Sequence, residues 1–125
     1  MRSSTRSLRS VGALVLLGLL LGLPMPARAA GAADAEVQAR ARFTEGNLAY
    51  DVGDFGKALK SFTEAYRLKP LPGLLFNMAQ CHRQLGQYSR AAFFYRRYLA
   101  LAPDADFAPD ARDLVDEMES RAKEQ

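Results

Sequence analysis

"GNLAYDVGDFGKALKSFTEAYRLKP" (Gly46–Pro70) is followed, 33 residues on, by "AQCHRQLGQYSRAAFFYRRYLALAP" (Ala79–Pro103). Shifting the chain by that interval superposes Phe43 on Phe76, Gly53 on Gly86, Ala58 on Ala91, Leu68 on Leu101 and Pro70 on Pro103. Conservative pairs keep the same register: Gly46 with Ala79, Phe55 with Tyr88, Lys57 with Arg90, Phe62 with Tyr95. A fixed period of this length signals stacked supersecondary units. Each unit has a physical sense. The Gly ends one helix, where a left-handed cap suits glycine. Aromatic and Ala residues then recur every three or four positions, the spacing of one helix face. The small Gly46 and Ala58 let two antiparallel helices approach, and Pro closes the second helix. Two helices and a tight turn make one αα-hairpin.

Working outward, the pattern predicts helices over about 34–52, 55–69, 73–85, 88–102 and 108–123, with no sustained strand-like alternation. The fold class is therefore all-α: two antiparallel hairpins of a solenoid, over 39–71 and 72–105, plus an amphipathic capping helix over 106–125. In the last segment Ala111, Leu114, Val115, Met118 and Ala122 share a face, and Pro109 suits a first turn. Glu119 stands where a third unit would need its Gly, so the segment reads as a cap.

These units resemble the tetratricopeptide repeat. The first matches that family's small-residue, Gly, aromatic, Ala, aromatic, Ala, Pro signature through Gly46, Gly53, Phe55, Ala58, Phe62, Ala65 and Pro70. The second departs twice, with Ala79 for the first Gly and Tyr98 for the last Ala. The family's early Trp is absent from both, Arg42 and Leu75 lying near its place. The resemblance implies a protein-interaction module whose concave face is lined by the first helix of each hairpin. Carried onto this chain, that face holds Phe43, Asn47, Tyr50 and Asp51, then Phe76, Gln80, Arg83 and Gln84. Such a set suits an extended or helical peptide; the alternative for Phe43 and Phe76 is simple inter-helix packing. Some members grip a C-terminal carboxylate. Asn47 and Asn77 stand at its two Asn places, but Phe43 stands where its Lys would be.

Residues 1–29 read as a secretory signal. Arg2, Arg6 and Arg9 precede the apolar run Val11–Leu23, and Ala27, Arg28 and Ala29 form an A-x-A cleavage site. A retained N-terminal anchor is the alternative, although spanning a bilayer takes roughly 20 residues. Residues 30–38 form a lead-in to the first helix. Removal after Ala29 leaves 13 basic against 14 acidic residues, a net charge of −1 where the whole chain has +3. Basic character thus gives no argument for nucleic acid, and no stable membrane insertion is expected after processing. Such a signal delivers the chain across the inner membrane, to the periplasm or outside the cell, and the periplasm is the localisation expected.

Cys81 and His82, the single cysteine and histidine, are adjacent. Neighbours on a helix point about 100° apart and cannot share a ligand or proton. No further Cys or His completes a metal set, and no phosphate loop, nucleophile elbow or HExxH is present. Scaffold roles are expected for both, with Cys81 at the register place of Leu48 and His82 at that of Ala49. No catalytic residue, cofactor or metal is assigned. The function expected is a periplasmic adaptor or assembly factor binding a protein or peptide partner. The alternatives are a self-associating homodimeric module, an accessory subunit of an envelope enzyme complex, and a small-ligand binder using the Arg83 region.

Charge bears on the cap. Residues 71–103 carry Arg83, Arg90, Arg96 and Arg97 and no acid, whereas residues 104–125 carry eight acids against three bases. The acidic cap is expected to fold onto the basic second hairpin; two unrelated solvated faces are the alternative. Deleting residues 106–125 is expected to lower the thermal midpoint, and an unchanged midpoint in a melting curve would refute the docking.

Overall fold

The computed structural model describes residue 24 and residues 26–125. Among the described residues five helices follow one another: α1 (Ala27–Asp51), α2 (Phe55–Leu68), α3 (Pro72–Gln84), α4 (Tyr88–Leu101) and α5 (Ala108–Lys123). Each packs on the next, so α1–α2 and α3–α4 are hairpins, α2 meets α3, and α5 lies on α4. The expected boundaries hold within two residues except at the start of α1. There the lead-in expected over 30–38 is helical, because Ala-rich sequence with Glu36 and Arg40 favours helix throughout. The basic start and apolar run of the N-terminal stretch lie outside the described residues. Ala27–Ala29 open α1, so cleavage after Ala29 would remove less than one turn. No helix among the described residues is long and apolar enough to cross a membrane.

The two hairpins turn identically. Gly53 has φ +80° and Gly86 +69°, the left-handed region. Around them Gly53 N–H donates to Tyr50 O and Asp54 N–H to Ala49 O, at 3.0 and 2.9 Å. The second turn repeats this with Gly86 to Arg83 and Gln87 to His82, at 3.1 and 2.9 Å. That pair of bonds is the Schellman motif, which satisfies the last carbonyls of the helix and requires φ > 0 at one residue. The Asp54 carboxylate then caps α2 by accepting from Lys57 N–H at 3.1 Å. Pro72 opens α3 in the first turn, where its missing N–H costs nothing.

The core is a small-residue seam filled by rings. Ala49, Ala58, Ala65, Ala79, Ala91, Ala92 and Ala111 are buried, and Phe62 and Tyr95 lie fully inside among them. Tyr98, at the place of Ala65, is also buried and packs its ring edge-on to Phe76, centroids 5.4 Å apart. The acidic helix does close the second hairpin: Met118 and Ala111 are buried, Arg83 Nη2 reaches Glu117 Oε1 at 3.5 Å, and Arg96 pairs with Glu119. The guanidinium of Arg121 lies 5.5 Å over the Tyr88 ring, and Gln125 donates to Gly86 O at 2.9 Å. Burial of the apolar face fixes α5; exposed ion pairs add little.

Gly46 sits where α1 crosses α2. A Cβ there would meet the Phe62 ring at 2.6–3.0 Å, closer than any real Cβ contact. Alanine would gain about 1 kcal/mol of helix propensity, but overpacking a buried ring costs roughly 1–3 kcal/mol. With three ring atoms hit, the clash wins. Gly46→Ala is expected to lower stability by about 1–2 kcal/mol in chemical denaturation. In a Phe62→Leu background the same change is expected to cost nothing, the signature of direct coupling.

Candidate peptide-binding groove

α1 and α3, the first helices of the two hairpins, both line one face, and Phe107 of the α4–α5 connection reaches it too. Between them is a cavity of about 580 Å³. Its apolar lining includes Phe43 from α1, Leu74 and Phe76 from α3, Leu71 from the connection before α3, Tyr98 from α4 and Phe107. Phe76 anchors this floor. Its ring packs edge-on to Tyr95 and Tyr98, each centroid 5.4 Å away, and stacks on Phe107 at 5.5 Å. Phe43 leans on Phe62 at 6.0 Å and stays 39% exposed, open to whatever enters.

One rim of the cavity is charged. Lys69 hydrogen-bonds Glu36, and Arg40 lies 3.5 Å from the same carboxylate. The Lys69 ammonium, helped by Arg40, holds the Glu36 carboxyl below its ordinary range. Two cations against one anion leave that rim positive. Asn77 adds an amide to the wall.

Of the residues expected on the inner face, Phe43 and Phe76 line the cavity. The others sit nearer the C-terminal ends of α1 and α3, where several already bond one another. Gln84 Nε2 donates to the Tyr50 hydroxyl at 3.3 Å, and the Tyr95 hydroxyl donates to Gln80 Oε1 at 2.8 Å. Arg83 faces Glu117 of α5. Asn47 is half-buried, and Asp51 is exposed at the last residue of α1. The face thus divides into an apolar basin at one end and a polar row at the other. Leu71, Tyr98, Phe107 and the Glu36–Lys69 rim were not expected from the sequence. The one available signal was Tyr98 itself, an aromatic ring at a place the repeat keeps for alanine.

Cys81 and His82 have packing roles. Cys81 is fully buried, and burial pushes its thiol up to about 12, far from a reactive thiolate. The His82 ring stacks on Phe94 at 5.1 Å and 8°, and its Nδ1 lies 2.6 Å from Gln87 Oε1. Gln87 stands at the register place of Asp54; it turns back to α3 where Asp54 caps α2.

The family model of the tetratricopeptide repeat matches residues 43–106. The chain is also 36% identical over 61 residues to Hsp70-Hsp90 organizing protein 2 of Arabidopsis thaliana. That alignment takes in 48% of this chain and 11% of the plant protein.

Burial lowers the His82 pKa, outweighing its bond to Gln87, with the nearby Arg90 charge acting in the same direction. Folding therefore favours the neutral ring. The unfolded chain binds more protons below its own His pKa of about 6.5, so stability is full above that value and falls as pH drops toward the folded pKa. The melting temperature is expected to decline as pH falls from about 6.5 toward the folded value. The decline should be smaller in His82→Gln, and equal slopes in calorimetry would contradict the assignment.

Proposed function

Because the chain belongs to the tetratricopeptide repeat family, a family of protein-interaction modules, we propose that it is an exported adaptor or assembly factor of the periplasm. It holds a segment of another polypeptide on the face between α1 and α3. The observation that carries this is the aromatic basin of Phe43, Phe76 and Phe107 beside a positive rim. A basin of about 580 Å³ takes one or two large apolar side chains. The polar row of Tyr50, Gln84, Gln80 and Arg83 continues from it along the face, where side-chain amides and hydroxyls can meet a peptide backbone. Buried aromatic anchors dominate such contacts, and rim charges set register and approach rate.

Export rests on the arrangement of residues 1–29, a basic start, an apolar run and a small-residue cleavage site. The plant relative is an organizing protein for Hsp70 and Hsp90 by its name. Its likeness to this chain supports polypeptide binding by the shared repeats. The chain spans 11% of that relative, so its own partner is defined by the basin and not by the relative's.

A display library of random peptides tests the groove. Binders recovered on the processed chain are expected to carry a large apolar residue next to an acidic one. They should lose at least about tenfold in affinity against Phe43→Asp. Phe43 is partly exposed, so the variant keeps its fold, which circular dichroism checks. Binders indifferent to Phe43→Asp, or no binders, would sink the groove assignment. N-terminal sequencing of periplasmic material is expected to begin at Ala30.

A further inference from the structure

The face of α1 opposite its seam with α2 is apolar and open. Val37, Ala41, Thr44 and Leu48 of α1, with Val52 just past its end, recur at steps of four, three, four and four, one stripe about 22 Å long. Val37 is 68% exposed, Leu48 63% and Val52 80%. The seam residues Ala39, Gly46 and Ala49 are buried on the other side. Solenoids need polar outer faces at their ends. The α5 end has one, with Asp110, Asp113 and Asp116 exposed; the α1 end does not.

Thirty-three residues on, Ala41 and Leu48 correspond to Leu74 and Cys81, both buried, whereas Val37, Thr44 and Val52 correspond to exposed Pro70, half-buried Asn77 and exposed Leu85. At the places of Ala41 and Leu48, then, α1 leaves exposed what α3 buries, and no helix covers them among the described residues.

We propose that a second copy of this chain covers it, α1 against α1 in antiparallel orientation. The stripe is its own complement. A two-fold axis between Thr44 and Glu45 sets Val37 against Val52 of the copy and Ala41 against Leu48, small facing large. Thr44 already bonds Arg40 O at 3.1 Å, so its hydroxyl is satisfied beside the axis. Glu45 is held by its own Arg42 at 2.7 Å, which offsets its charge against its twin.

Charge fixes the direction. Arg40 and Asp51 are eleven residues apart, about three turns, and lie on the same edge of the stripe. In a two-fold antiparallel pair like edges meet, which places Arg40 within about 3 Å axially of the copy's Asp51, twice over. Within one chain the two are about 16 Å apart and cannot pair. Asp51 takes part in none of the ion pairs among the described residues, and Arg40 has only a 3.5 Å contact with Glu36. One helix pair buries roughly half of the ~1,600 Å² of a standard interface, so the dimer is a weak one.

Sedimentation velocity tests it on the chain as an expressing cell produces it, with its N-terminus sequenced. Mass is expected to rise from monomer towards dimer between about 10 µM and about 1 mM. Leu48→Glu and Val52→Glu, both at exposed positions, should each weaken association at least about tenfold with melting temperature unchanged. Arg40→Asp and Asp51→Arg should each weaken it, and the double variant should restore it. A wild-type monomer at 1 mM would overturn the proposal and leave the stripe to a different protein. Association unaffected by Leu48→Glu would place the contact elsewhere and overturn it equally. Loss with Leu48→Glu but no rescue in the charge swap would reject the antiparallel pair.

Discussion

Everything in this chain hangs on how closely the two helices of a hairpin can approach. In the first hairpin the limit is set by Gly46 against the ring of Phe62, where a single added carbon would sit 2.6 Å from the ring. In the second, Ala79 and Tyr95 hold the same places, both fully buried. Small residues on one helix and a ring on the other bring the backbones together without a cavity. With so few large side chains available to a domain of this size, that economy matters. Met118, carried by α5 and fully buried, extends the same core to the last helix.

The seam also decides where each remaining face points. With Ala39, Gly46 and Ala49 committed to α2, Phe43 is left on the inner face and Leu48 on the outer one. Helix α3 repeats the arrangement with Ala79 committed to α4. Phe76 therefore lies beside Phe43, and Cys81 turns in where Leu48 turns out. The burial of Cys81 and His82 follows from register, since the α3 face that carries them is covered on both sides. Their adjacency in sequence is incidental to that packing.

Helix ends were legible in the sequence because glycine and proline mark them by chemistry that does not depend on tertiary context. Gly53 and Gly86 adopt the left-handed caps their spacing implied, and Pro72 and Pro109 sit in first turns. The inner-face pair Phe43 and Phe76 was legible because it repeats. What did not repeat was not legible. Tyr98 replaces an alanine, Phe107 lies in a connection that only the second hairpin has, and Glu36 meets Lys69 across an interval no local pattern reveals. The start of α1 is illegible for a different reason: Ala-rich sequence has high helix propensity but no apolar periodicity to announce it. The outer stripe of α1 carries no repeat signal, since Val37 and Val52 answer to Pro70 and Leu85, which are exposed in the second hairpin as well.

α1 therefore carries three faces with three kinds of work, one for its own hairpin, one for the basin and one for solvent or a second copy. The last two are not independent. Arg40 lies at the lip of the cavity, 3.5 Å from Glu36, and also on the edge of the outer stripe. A guanidinium drawn across to Asp51 of a copy is withdrawn from Glu36, leaving Lys69 alone to neutralise that carboxylate. Self-association would then make the rim less positive and weaken its hold on an acidic segment, whereas an acid seated at the rim would keep Arg40 from the copy. The two kinds of binding compete through one side chain, and because coupling between sites is reciprocal, each would lower the affinity of the other by the same factor.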